Sequence, residues 1–350
     1  VTSAKTFVGR TRIMTMSETK KKNNTKTPIG VFVSDIHWRT KTPEYRVEKD
    51  VPFNDVIGNK LTEVLVFAKE HKVPIFSCGD LFDKPRDFMQ MWTFQKLMTS
   101  FVKEYNEIDF YSVQGQHDMF HHDPTNKATS FNVMCLNKTV RKMTSAGRVQ
   151  IYGDRRIGVD HSWQDVVNVY ACGWGEEYPV PYMAEQNNIL VLHKTLWHKQ
   201  SVYPGQTEGN IEVESIKLAK LGYKTVFSGD NHKAFDVRVG GVDFHNLGAF
   251  TRNSVDLANQ QPRFCILFDD LSVESRYVGE EDVFDIKTST DDKEHQNAKD
   301  EFSTALAGGF NQGDTFKGAL QQVVAVRKCG DLELTDTQTA LLTDILVHLD

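Results

Sequence analysis

The chain has 350 residues, 39% hydrophobic and 25% charged, the ordinary balance of a soluble globular protein with room for a large core. Its formal charge of -6 argues against a protein that coats nucleic acid through bulk positive charge, but not against one that grips it locally around bound cations. Cys78, Cys135, Cys172, Cys265 and Cys329 form no CxxC pair, which argues against a thiolate zinc site or a disulfide framework and fits a reducing compartment.

Residues 1–28 carry seven Lys/Arg against one acidic residue and show no apolar period, the composition of a disordered basic tail. An arm that touches nucleic acid and a plain solvated tail both fit it. No apolar run approaches the ~20 residues needed to cross a bilayer, and no signal-peptide core is visible, so a cytoplasmic enzyme with no membrane partner is the expectation. From Ile29 the pattern changes. Short apolar runs at 29–34, 73–78, 108–113, 189–192 and 224–228 end in polar turns, and stretches with helical apolar spacing lie between them at 56–71 and 88–104. This alternation predicts βαβ units around a buried sheet, with ligand-bearing loops at the carboxyl ends of the strands. Past Gly240 the pattern gives strands at 242–247, 264–268 and 273–278. Residues 29–280 therefore read as one α/β domain. The region 281–350 reads as a polar linker (288–300) and two amphipathic helices (315–327 and 335–349).

Five of the strand ends carry chemistry. The first is Ser34-Asp35-Ile36-His37, where the period of two puts Asp35 and His37 on one side of an extended backbone. An isolated DxH is common by chance. The second is Cys78-Gly79-Asp80-Leu81-Phe82-Asp83; Asp80 has two oxygens with which to bridge two ions, and Asp83 is either an acceptor behind the ligands or a helix N-cap. The third is Gly115-Gln116-His117-Asp118, offering a neutral amide oxygen, an imidazole that can donate a proton, and a carboxylate that can orient it. The alternative for His117 is a fold-stabilising hydrogen bond to Asp118. The fourth is His193, whose case rests on its company. The fifth is Ser228-Gly229-Asp230-Asn231-His232. Trp38, Arg39, Lys41 and Arg46 follow the first motif, where an aromatic and cations can meet a phosphate backbone. His121 and His122 follow the third, facing either substrate or solvent.

This ordered set resembles the calcineurin-like metallophosphoesterase superfamily, whose motifs run DxH, GDxxD, GNHD, H and GHxH, over roughly residues 29–268. The Gly-Asp-Leu-Phe-Asp-Lys-Pro stretch is most similar to the SbcD-type DNA repair nucleases, and the GQHD and GDNH variants to their phage-encoded branch. The resemblance implies a four-layer α/β/β/α sandwich and two divalent metal ions, manganese or else magnesium. It implies that Asp35, His37 and His232 hold the first ion, that Asp80 bridges, and that Gln116, His193 and Asp230 complete the second. It makes His117, paired with Asp118, the proton donor to the leaving group.

Two positions depart from the family pattern: Gln116 stands where Asn is usual, and Asp230 where the first His of GHxH is usual. Both keep metal-binding atoms, and a carboxylate favours manganese or magnesium over zinc. Asn246-Leu247-Gly248-Ala249 replaces a usual Asn-Pro-Gly-Ser, with Arg252 beyond it as a support. The resemblance implies a nuclease of DNA end processing, recombination or repair, working beside an SbcC-like SMC-type ATPase on whose coiled coil the C-terminal helices can dock; a homodimer is left open. Two alternatives stand beside it: a phosphodiesterase or phosphatase of nucleotides or phosphoproteins, and a DNA-binding module with a degenerate metal site.

Overall fold

The computed structural model describes residues 26–279, except 45, 48–50, 106–107, 153–165 and 185, together with short pieces at 328–329, 332–333, 336, 339–340 and 343. The basic tail, except its last three residues, and most of the C-terminal linker and helices expected at 281–350 lie outside the described residues.

Two six-stranded mixed sheets face each other. The first is built from β1 (Pro28–Val33), β2 (Ile75–Ser77), β3 (Phe110–Ser112) and β4 (Arg141–Lys142) in parallel, extended by β11 (Arg263–Phe268) and β12 (Val273–Tyr277) in the antiparallel sense. The second has β6 (Val166–Cys172), β7 (Asn187–His193), β8 (Tyr223–Gly229) and β10 (Val242–Asn246) in parallel, with β5 (Arg148–Tyr152) and β9 (Phe235–Val239) antiparallel at its edges.

Side chains of successive strand residues leave opposite faces, so apolar runs feed two cores at once. In β1, Val31 and Val33 face outward and Phe32 faces the other sheet. In β11, Phe264 and Ile266 alternate in the same way with Cys265 and Leu267. The outer core of the first sheet is closed by α1 (Phe53–His71), α2 (Phe88–Tyr105) and α3 (Ser130–Leu136). The buried face of α1 is Phe53, Ile57, Leu61, Val64, Leu65 and Ala68, the i, i+4, i+8 series of a one-sided helix. Between the sheets, the rings of Phe32 and Phe227 stack with centroids 3.7 Å apart. On the far side α4 (Ile211–Leu221) lays Ile211 and Leu218 on Leu190, Val226 and Phe244. It starts at Asn210, whose side chain accepts from Glu212 N–H, and ends at left-handed Gly222. Helices, sheet, sheet, helix: the four-layer α/β/β/α sandwich expected from the motifs is the observed fold.

Among the described residues no helix is long and apolar enough to cross a membrane. Cys78, Cys135, Cys172 and Cys265 are free thiols, as their spacing suggested.

Candidate metal centre

The carboxyl ends of β1, β2, β3, β7 and β8 open toward one place, so five motifs that are far apart in sequence share one floor. The loops after β1 and β2 are zipped together by main-chain bonds: Asp35 N–H to Gly79 carbonyl at 3.1 Å, His37 N–H to Asp80 carbonyl at 3.0 Å and Trp38 N–H to Leu81 carbonyl at 2.9 Å. Asp35, His37, Asp80 and Asp230 all have positive φ, at 46°, 44°, 50° and 73°. Such left-handed backbone is costly for side-chain-bearing residues and persists only where the surroundings impose it, which is the usual mark of a functional turn.

Three groups of side chains come close enough to share an ion: Asp35 with His37 and His232; His37 with Asp80 and His117; and Asp35 with Asp80 and His193, the ligand atoms within each lying within 4.8 Å of one another. Asp35, His37 and Asp80 each belong to two of these groups, so Asp80, the expected bridging carboxylate, lies where the groups overlap, with Asp35 beside it. His37 Nε2 lies 3.1 Å from His232 Nε2, 3.9 Å from Asp35 Oδ1 and 3.8 Å from Asp80 Oδ2. His193 Nε2 is 3.5 Å from the same Asp80 oxygen.

The outer atoms of these residues are held by their neighbours. Ser34 Oγ donates to Asp35 Oδ2 at 2.5 Å, and Asp230 N–H points at both Asp35 oxygens, at 3.1 and 3.2 Å. His117 N–H donates to Asp80 Oδ1 at 2.9 Å. His193 Nδ1 sits 2.6 Å from the Cys78 carbonyl, which fixes a proton on Nδ1 and turns Nε2 inward, the orientation metal-binding histidines usually take from such a partner. Close backbone approach is as important. A Cβ on Gly115 would lie 2.1 Å from Asp80 Oδ1, and one on Gly229 would lie 2.0 Å from Ser34 Oγ and 2.7 Å from Asp35 Oδ2. At Gly115 and Gly229 a side chain would collide with Asp80 and with the Ser34–Asp35 pair.

Asp35, Asp80, His37 and His193 are all buried, so their charges have little water to share. Burial pushes the Asp35 carboxyl up to about 6, against the pull of His232 and His193. Burial also drives His37 down to about 3, leaving a neutral imidazole with a lone pair to offer. For Asp80 burial acts upward, but His193 and His37 outweigh it and hold the carboxylate well below its usual range. Burial works against the His193 cation too, yet Asp80 and then Asp35 lift it to about 10. Asp80 Oδ2 is buried without a hydrogen-bond partner. Buried carboxylates that hold a proton on His193, a neutral His37 imidazole and an orphaned oxygen mark a point that calls for positive charge; a divalent cation would supply it in place of that proton, so the donor set fits metal ions.

Asp230 falls outside the three groups and is bonded to Gln116, whose Nε2 donates to Asp230 Oδ1 at 2.7 Å while its Oε1 lies 2.7 Å from His193 Nε2, beside the third group. Thr195, which no motif pointed to, donates through Oγ1 to the other Asp230 oxygen.

The expected partnership of His117 with Asp118 is corrected. The Asp118 carboxylate is fully buried and accepts the backbone N–H groups of Phe82 at 3.0 Å, Gly115 at 3.1 Å and Leu81 at 3.3 Å. It ties the second and third motif loops together; burial, reinforced by the Asp80 charge, raises it to about 7. His117 Nδ1 is instead 3.0 Å from the Asp83 carbonyl, and its ring meets that of His37 edge-on at 4.8 Å. Asp83 is no N-cap, since Asp87 caps α2 through Gln90 N–H; its carboxylate pairs with Arg39 at 3.2 Å. Trp38 is a core residue whose Nε1–H donates to Thr93, not a surface platform for phosphate or base. Asn246 takes the supporting place: its amide donates to the carbonyls of Asn231 at 2.6 Å and Lys233 at 2.8 Å, on either side of His232. Arg252 braces the same loop through Gln260, bonding its carbonyl while Gln260 Oε1 accepts Ala234 N–H.

No family model matches the chain, and no curated protein does. Similar solved structures include TT1561 of Thermus thermophilus, 13% identical with a TM-score of 0.43, covering 72% of this chain and 100% of that one. The calcineurin-like phosphoesterase YfkN from Bacillus subtilis is 12% identical with a TM-score of 0.40, covering 78% and 98%. A dimetal phosphatase from Danio rerio is 10% identical with a TM-score of 0.41, covering 73% and 98%. Likeness at this level assigns no activity, and the chemistry rests on the side chains described above.

Proposed function

We propose that this chain is a divalent-metal-dependent phosphodiesterase whose substrate is DNA, with residues 29–280 as the catalytic unit. The observation that carries the hydrolase reading is that two buried carboxylates, Asp35 and Asp80, each serve two groups of candidate metal ligands. That arrangement suits a pair of ions, manganese in this reading, held by Asp35, His37, His232, Asp80 and His193, with Gln116 and Asp230 at the margin of the second. Such ions, when bound, would neutralise phosphate charge and acidify a water. The chain's own contribution is positional. The Asp83 carbonyl accepts a hydrogen bond from His117 Nδ1–H, which leaves Nε2 as the nitrogen to protonate the departing oxygen. Strained turns and glycine cradles hold the carboxylates where no reorganisation is needed.

The choice of DNA, and of an SMC-type ATPase as partner, is supported by the resemblance of the second motif to SbcD-type nucleases. The test is hydrolysis of linear duplex and single-stranded DNA with manganese, with and without a candidate ATPase subunit. Cleavage abolished by chelation and by Asp80→Ala is the expected result. Hydrolysis of small phosphodiesters without any DNA cleavage would shift the assignment to nucleotide or phosphoprotein substrates. DNA affinity with no metal binding in calorimetry would leave only a degenerate binding module.

A further inference from the structure

A cavity of about 440 Å³ opens directly beside the metal centre and shares His193, Thr195 and Asp230 with it. Its size falls in the range of small-molecule sites, roughly 300–1,000 Å³. Resting on the phosphodiesterase reading, we infer that this cavity is a nucleobase subsite, in which the base of the nucleotide next to the scissile phosphate stacks on Trp174 and Tyr203.

Leu192 and Cys172 contribute apolar wall, while Trp174 and Tyr203 bring two large rings to the same space, 36% and 55% exposed. Exposed aromatic faces beside a phosphate-processing centre suit bases, because every base offers a flat π-face whatever its sequence. The charges around the cavity disfavour a second phosphate. Glu176, Glu177 and Glu208 line it against Lys194 and Lys217, and both lysines are paired with Glu214, at 3.7 and 3.1 Å. A neutral planar group meets no repulsion there, whereas a second dianion would.

The backbone that carries the indole is tied to the third motif loop: the main-chain N–H of Trp174 donates to the Gln114 carbonyl at 2.9 Å, two residues before Gln116. His122 leans on the indole with ring centroids 5.3 Å apart. His121 and His122 reach that place through consecutive left-handed backbone, φ 54° and 55°, an uncommon and costly conformation for two adjacent non-glycine residues. This strain has no role in the ligand set described above, and it places an imidazole against the one tryptophan that faces the cavity among the lining residues.

The experiment compares calorimetric binding of deoxyadenosine monophosphate and inorganic phosphate in excess manganese, for the wild type, Trp174→Ala, Trp174→Phe and Tyr203→Ala. The wild type is expected to bind the nucleotide about tenfold or more tightly than phosphate, a gap of the size base–aromatic stacking gives. Trp174→Ala should close most of that gap, Trp174→Phe should retain it, and Tyr203→Ala should narrow it; phosphate affinity reports on the metal centre throughout. Equal affinity for the two ligands in the wild type, or a gap that survives in both alanine variants, overturns the subsite. Hydrolysis of bis(p-nitrophenyl) phosphate separates this from the parent reading. A protein that hydrolyses the ester but ignores the base loses the subsite alone; one that prefers the nucleotide yet hydrolyses no ester keeps the subsite and loses the phosphodiesterase assignment.

Discussion

Gly115→Ala is the sharpest probe of the centre, because it adds one methyl group and changes no ligand. The new Cβ would sit 2.1 Å from Asp80 Oδ1, 2.5 Å from Asp80 N and 2.8 Å from Asp80 Cγ. Ordinary contact between such atoms is ~3.5 Å, so relief needs a movement of more than an ångström. Neither partner has that freedom. Asp80 is wholly buried, its Oδ1 accepts His117 N–H at 2.9 Å, and Gly115 N–H is itself held by Asp118 at 3.1 Å. Overpacking of this kind costs ~1–3 kcal/mol of stability, and displacing a ligand-bearing loop by ~1 Å costs on the order of 100-fold in rate. We expect manganese affinity to fall ~10–100-fold, as when a group that orients a metal ligand is lost. Calorimetric manganese titration, bis(p-nitrophenyl) phosphate turnover and melting in chelator give the three readings. Gly147→Ala, where the added carbon meets nothing within 4 Å, is the neutral control. If Gly115→Ala binds manganese and turns over like the wild type, Asp80 is not the rigid shared ligand described here.

Chelation should destabilise the folded chain: manganese at 100-fold above its dissociation constant contributes ~2.7 kcal/mol, or ~5–10 °C of melting temperature for a domain of this size, and an unchanged melt in EDTA would contradict a metal centre. Asp118→Asn replaces an acceptor that serves three backbone N–H groups, and should cost ~1–3 kcal/mol in urea unfolding, measured without metal. Gly58→Ala fills a helix-interior position where the Cβ would make ordinary contact with the Trp38 ring at 3.6 Å; urea unfolding should show a gain of up to ~1 kcal/mol. Burial opposes the charge on Asp236, but His245 and Arg263 outweigh it and hold its carboxyl low. Its folded pKa therefore lies below its unfolded value of ~3.9, so its contribution is complete above that value and disappears as pH falls through the lower one; Asp236→Asn should flatten this part of an acid-unfolding curve.

What the sequence made legible was set by which atoms do the work. Candidate ligands are side chains, and side chains at the ends of apolar runs are written in the chain: Asp35, His37, Asp80, His193 and His232 could each be named, and all converge. The atoms that orient them are mostly main chain. The Cys78 carbonyl behind His193, the Asp83 carbonyl behind His117 and the N–H groups gathered by Asp118 have no residue type to betray them. The pairing of His117 with Asp118 failed for this reason: in the turn after β3 the carboxylate went to backbone N–H groups and the imidazole to a backbone carbonyl. Strand β6 was missed because Asn168 interrupts its apolar run, yet that buried amide is satisfied by Gln186 at 2.7 Å and Gln150 at 3.1 Å, side chains whose proximity only the folded sheet reveals. The edge strand β9 alternates exposed and half-buried residues and carried no apolar run at all.

Gln116 and Asp230 show the limit of reading positions singly. Taken one at a time, a lengthened amide and an added carboxylate are two departures from the motif pattern, each with a cost. In the fold the two side chains, 114 positions apart, are bonded to each other. The extra methylene of Gln116 lets its Nε2 reach Asp230 Oδ1 while Oε1 stays 2.7 Å from His193 Nε2. The second Asp230 oxygen accepts from Thr195, and the Asp230 N–H serves Asp35. A neutral imidazole at 230, with one acceptor nitrogen, could not accept from both donors. A charge with donors on both oxygens is a satisfied polar group rather than a stray anion beside Asp35 and Asp80. The altered pair thus keeps an amide oxygen against His193 and leaves the three ligand groups intact, which is why two departures from the pattern coexist with a centre that still converges.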